Sequence, residues 1–249
     1  MTETDRVLPR RAVLKTAGLG VGAGLFSGVS APAQAAATSE IWSAEYWAKK
    51  GDVPLYIFRK RLGAPRPGES SRPVLFLVHG SSVTWRIFDL DTPGHGEYSM
   101  MNVFARWGFD VWTMDHDGYG YSGSSGNNSD IASSVEDLKA AIPVVAQETG
   151  QSRMHFYGTS SGATRAAAYA QIEPARVDRL VLVAFTYKGT GAPEIGNRTR
   201  QVETYRNNNR RKRDAAMIRS IFTRDGHAAS YDPAVPEAIA AMELKFGDQ

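Results

Sequence analysis

Residues 154–163 read Met154-His155-Phe156-Tyr157-Gly158-Thr159-Ser160-Ser161-Gly162-Ala163. The apolar and aromatic run Met154–Tyr157 predicts a short strand, and the alanine-rich stretch Ser161–Gln171 predicts a helix. The two are joined with almost no intervening chain. So tight a turn needs small residues on both sides, which Gly158 and Gly162 supply. Ser160 is thereby pushed out at the C-terminal end of the strand. Its backbone then sits at a helix N-terminus, where the aligned peptide dipoles favour negative charge.

The same alternation extends in both directions. Val74-Leu75-Phe76-Leu77-Val78 is an uninterrupted apolar run, as expected of a central strand buried on both faces. Leu55–Arg61 predicts a strand after the Lys50-Gly51-Asp52 turn, and residues 63–73 a Gly/Pro/Ser-rich loop. Glu97–Trp107 has helical spacing closed by Gly108, and Asp110–Met114 is the next strand. Ser129 or Asp130 caps a helix whose Ile131, Val135, Leu138, Ile142 and Val145 hold the period to Gly150, with Pro143 expected to kink it. Leu180–Phe185 predicts one more buried strand. Strands alternating with helices imply an α/β fold, a mostly parallel sheet with helices on both faces. From Lys188 onward the composition turns polar and basic and is helix-compatible, and no further buried strand is expected. The run Arg210-Arg211-Lys212-Arg213 reads as a solvated face rather than a contact for an anion or a membrane.

Three motifs stand in order at the C-terminal ends of predicted strands, the edge where open α/β sheets place their ligands. They are His79-Gly80-Ser81-Ser82, then Asp115-His116-Asp117-Gly118-Tyr119-Gly120-Tyr121-Ser122, then Gly158-Thr159-Ser160-Ser161-Gly162. Over roughly residues 55–185 the chain resembles the α/β-hydrolase family, of the serine esterase and lipase type. The resemblance implies that Ser160 is the nucleophile and that the backbone N–H groups of Ser81 and Ser161 form an oxyanion hole. It also implies a Ser-His-Asp/Glu triad, no cofactor and no metal, and acyl transfer from a small-molecule substrate to water or another nucleophile. A serine at this turn argues against haloalkane dehalogenase and epoxide hydrolase relatives, which use a carboxylate there.

In that family the acid and the histidine follow the serine, on loops after later strands. The only histidine after Ser160 is His227, which has no buried strand before it. The expectation is therefore that residues 188–249 are a predominantly helical cap following the core at 36–187, and that the chain stops before its last strands. His79 and His116 are expected to be structural, and His155 to be a buried, satisfied strand residue.

Residues 1–35 carry a basic segment with Pro9-Arg10-Arg11-Ala12-Val13-Leu14-Lys15, a Gly/Ala-rich apolar run from Ala17 to Val29, and Ala33-Gln34-Ala35. This is a tripartite signal peptide resembling the twin-arginine type, cleaved after Ala35, which implies export to the periplasm or beyond. Gly18, Gly20, Gly22 and Gly24 oppose a stable membrane helix there. Four basic against two acidic residues in this segment account for +2 of the net +3, so the rest is nearly neutral and implies no nucleic-acid partner. Cysteine is absent, which excludes disulfides and thiolate catalysis, and the five histidines show no metal-ligand spacing. Two other readings stay open: an acyltransferase or perhydrolase on the same scaffold, and a non-catalytic binding protein. Dinucleotide binding by the glycines around Tyr119 is discounted, because Gly118-x-Gly120 opens no helix.

Overall fold

The computed structural model describes residues 40–223 and 230–247. The predicted signal segment and His227 lie outside them. A six-stranded sheet runs in the order β1 (Ile41–Lys50), β2 (Val53–Leu62), β4 (Asp110–Met114), β3 (Val74–Val78), β5 (Met154–Thr159), β6 (Val177–Val183). β1 and β2 form an antiparallel hairpin and β2 pairs antiparallel with β4, while β4, β3, β5 and β6 are mutually parallel.

Alternation along β3 explains the layers. Val74, Phe76 and Val78 face the cluster filled by α2 (Ile131–Thr149) and α3 (Ser161–Ile172), through Val135, Leu138, Ile142, Ala166 and Tyr169. Leu75 and Leu77 point the other way, toward Trp85, Phe88 and the helix α1 (Met100–Arg106) with its Met101 and Ala105. Helices thus cover both faces, and an apolar run without alternation is what a strand so placed requires. Asp130 caps α2 by accepting the Ser133 N–H at 2.8 Å, and Gly150 closes it in the left-handed conformation. Pro143 lies inside α2, which runs unbroken through it.

Two expectations about the sheet change. β1, which no sequence argument above anticipated, is half-exposed and alternating, a hairpin partner rather than a buried strand. β6 was expected to be buried on both faces, yet it is the outer strand: Val181 and Val183 are exposed, while Val177, Leu180 and Leu182 pack on the core. Among the described residues no strand follows β6. The α-helices described beyond it are α4 (Pro193–Asn207), α5 (Ala215–Thr223) and α6 (Ala234–Glu243). Ile218 of α5 joins Ile239 and Ala240 of α6 around Leu90 in a separate small core. No helix among the described residues is long and apolar enough to cross a membrane.

Candidate active site

Ser160 joins β5 to α3 with φ 55° and ψ −126°, a conformation that costs a non-glycine residue about 1–3 kcal/mol. Its N–H donates to the Val183 carbonyl at 2.9 Å and its own carbonyl accepts from Ala163 N–H at 3.0 Å, so the turn is held from both sides. The flanking glycines are there for contact. A Cβ on Gly158 would overlap the Gly162 carbonyl and Ala163 Cα, and one on Gly162 would overlap the carbonyls of Val78 and His79. A third close approach comes from the loop after β3, where a Cβ on Gly80 would lie 3.2 Å from Ser160 Cβ. The three motifs therefore meet. Ser81, Ser160 and Ser161 line one cleft of about 970 Å³ together with Tyr119, Arg165 and Arg210. No described side chain hydrogen-bonds Ser160 Oγ. A second cleft of about 660 Å³, between Lys60 and the loop 89–99, holds none of the motif residues.

The Asp115 turn buttresses the site. Asp115 is buried, and its two carboxylate oxygens accept the N–H groups of Trp85 at 3.0 Å and Tyr121 at 2.9 Å. Ser122 Oγ donates to the Asp115 carbonyl at 2.6 Å and accepts the Tyr56 N–H at 2.9 Å, which ties the turn to β2. Gly120, at φ 51°, lies where any Cβ would strike the Asp115 carboxylate. Burial raises the Asp115 carboxyl to about 7, against the lowering effect of the two N–H donors.

His79 is structural, as expected. The His116 N–H donates to its Nε2 at 3.3 Å, which leaves the Nδ1 proton to be donated to the Gly80 carbonyl at 2.7 Å. Burial first, then the neighbouring His116 and Arg165, hold this imidazole well below its ordinary value, so it is neutral. His116 is more than a turn residue: it is fully buried and its Nδ1 lies 3.0 Å from Asp137 Oδ2. Lys50 completes that cluster by bridging Asp137 at 2.5 Å and Asp117 at 2.9 Å. His155 departs from expectation. Its side chain is 23% exposed, and its Nδ1 is buried without a hydrogen bond although the Asp178 carboxylate lies 3.2 Å away, so it is neither fully buried nor satisfied. His95 faces Asp232 at the surface. None of these four histidines reaches Ser160, and His227 lies outside the described residues. No group of three or more His, Asp or Glu among the described residues is placed to hold a metal ion.

Sequence reasoning missed two arginines. Arg165, on the first turns of α3, is 2% exposed and donates to the His79 carbonyl at 3.1 Å. A charged residue one turn past Ser160 in an otherwise alanine-rich helix was its signal. Arg213, assigned to a solvated basic face, is instead buried. It pairs with Glu243 at 2.8 Å and donates to the carbonyl of Ser82 at 3.1 Å. The other Glu243 oxygen accepts both the N–H and the Oγ1–H of Thr84 at 2.9 Å. This buried pair fastens the end of α6 to the loop that carries Ser81.

Comparison with known proteins agrees with this architecture. The sequence profile of the hydrolase family described as serine aminopeptidase, S33, matches residues 84–241. A curated 2-hydroxy-6-oxononadienedioate/2-hydroxy-6-oxononatrienedioate hydrolase of Paraburkholderia phymatum is 32% identical over 130 residues, covering 50% of this chain and 39% of that protein. The chain therefore spans about two fifths of that relative's length. Among solved structures, a thioesterase domain from the curacin biosynthetic pathway superposes with a TM-score of 0.52 at 20% identity, over 83% of this chain and 70% of that one. A CIB-like hydrolase from Thermoplasma acidophilum gives a TM-score of 0.44 at 20% identity, over 58% and 64%. The likeness to the thioesterase domain speaks to the fold, whereas the profile extends over well over half of the 249 residues and so decides membership: the chain belongs to the serine aminopeptidase S33 family of α/β-hydrolases.

Proposed function

We propose that this hydrolase is an exported serine enzyme that cleaves a carboxylic ester or related acyl compound through an acyl-enzyme on Ser160. In this reading Ser160 Oγ attacks the carbonyl carbon while a histidine takes its proton. The N–H groups of Ser81 and Ser161 hold the oxyanion of the tetrahedral intermediate. Collapse expels the alcohol, which receives the proton from the histidine, and water then attacks the acyl-enzyme to release the acid and restore Ser160. The helical segment from Lys188 onward acts as a cap over the cleft, and the histidine lies outside the described residues, with His227 one candidate. The observation that carries the reading is the strained backbone of Ser160, φ 55° at a strand-to-helix junction, with Gly80 against its Cβ. Strain of this kind persists where the surrounding structure over-determines it, and it presents the hydroxyl to the cleft.

The test is the intact mass of the full-length protein after treatment with a fluorophosphonate. A single adduct that vanishes in Ser160→Ala is the expected result. No adduct, or one retained in Ser160→Ala, overturns the reading. Loss of the adduct in a folded His227→Ala variant makes His227 the base, and its retention places the base elsewhere. Ser160→Gly should also lose the adduct, yet resist urea better by about 1 kcal/mol, because glycine adopts this conformation without strain.

A further inference from the structure

Four arginines are buried in the described structure: Arg59, Arg61, Arg165 and Arg213. Three of them hold carboxylates. Arg59 grips Asp110 side-on, Nε to Oδ1 at 2.8 Å and Nη2 to Oδ2 at 2.5 Å; Arg61 meets Glu69 at 2.5 Å; Arg213 meets Glu243 at 2.8 Å. Arg165 has no carboxylate within ion-pair distance among the described residues. It donates Nη1 to the His79 carbonyl at 3.1 Å, reaches the Ser129 carbonyl from Nη2 only at 3.5 Å, and lies 5.4 Å from the Tyr119 ring centroid. Its buried Nε–H has no acceptor. The imidazoles beside it supply no counter-charge, since His79 and His116 are neutral, held so by burial first and by Arg165 as a lesser cause. A buried cation without a counter-charge is costly, and one with an unsatisfied donor doubly so.

Arg165 forms part of the wall of the cleft that holds Ser160, where arginines outnumber carboxylates. Arg198 and Arg200 of α4 line it with Arg211. Its two carboxylates are committed elsewhere, Asp117 to Lys50 at 2.9 Å and Asp130 to the cap of α2. We propose that the missing counter-charge arrives with the substrate: the Arg165 guanidinium binds a carboxylate on the acyl compound. The substrate class is then an ester or related acyl derivative that bears a second, ionised carboxyl group. This rests on the reading of Ser160 as nucleophile but is tested without catalysis.

Binding of linear dicarboxylates from succinate to adipate to the full-length protein is measured by calorimetry against the matching uncharged diamides. At least one dicarboxylate should bind about tenfold or more tightly than its diamide, the worth of a charge-assisted hydrogen bond, and Arg165→Gln should remove the difference. Equal binding, or none by any dicarboxylate, overturns the proposal, and this comparison stands even if Arg165→Gln does not fold. A preference that survives in folded Arg165→Gln assigns the anion to the arginines of α4 and overturns the role of Arg165. In parallel, aryl monoesters of the same diacids should exceed neutral aryl esters of equal length in kcat/KM by a similar factor. Failure of the fluorophosphonate adduct together with retained dicarboxylate preference would defeat the catalytic reading and leave the anion site intact.

Discussion

His116 is surrounded by groups that pull its proton affinity both ways, and burial prevails. It is held down to about 4, by burial first and by the Arg165 cation next, against the attraction of Asp137. An imidazole that titrates near 6.5 when unfolded and about 4 when folded contributes stability that is present above the unfolded value. That contribution, up to about 3 kcal/mol, is lost as pH falls toward 4. Asp115 works in the opposite direction: with its carboxyl raised to about 7, its contribution is present below the unfolded value near 4 and is lost as pH rises to 7. The two offset each other in denaturation, so the imidazole itself gives the sharper measurement. The His116 Hε1 resonance should show no titration between about pH 8 and 5.5, and a midpoint between about 6 and 7 would contradict the buried, neutral assignment. The motif residues were legible in the sequence because each obeys a steric rule: Gly158 and Gly162 could not carry a Cβ. Asp137 was not, because what defines it is the His116 and Lys50 it meets across the fold, and the charge of Arg165 within α3 marked that residue as unusual without recording its burial.

At the scale of elements, the Glu243–Arg213 pair is the joint between the C-terminal helices and the sheet. Both side chains are fully buried, and between them they satisfy Thr84, Ser82 and the end of α6. Removing one charge from such a pair leaves the other uncompensated, which costs about 3–5 kcal/mol. Glu243→Gln should therefore lower stability to urea by that amount, even though the glutamine oxygen can still accept from Thr84. A loss under about 1 kcal/mol would mean that Arg213 finds solvent in the variant. Element positions were well read where one period ran uninterrupted, as in β3, β4, α2 and α3. They were misread where exposure interrupts it: β1 alternates weakly, and Arg213 sits in a run of four cations of which it alone turns inward.

For the molecule as a whole, the sheet is unevenly covered. α3 packs behind Leu180 and Leu182 of β6, but the opposite face leaves Val181 51% and Val183 38% exposed, and the outer edge of β6 has no strand partner among the described residues. A bare apolar face beside an unpaired parallel edge is a template for association. The 249-residue chain should self-associate with increasing concentration in sedimentation velocity, and Val181→Lys should suppress this. Equal sedimentation of both as monomers would show that the edge is shielded. The sequence pointed to the apolar strand but not to which of its faces would be covered, since an apolar run reads the same on a central strand as on an outer one.

The Thr84–Glu243 contact joins residues 159 positions apart. Pairings so distant in sequence form late, after the loop they close has been ordered by everything between its ends. On a ribosome that adds residues from the N-terminus, the strands, the Ser160 turn and the cleft wall can all be assembled while Glu243 is still unmade or in transit. The loop bearing Ser81 then acquires its anchor only when α6 docks, so a partly synthesised chain would carry an exposed serine without a completed site around it.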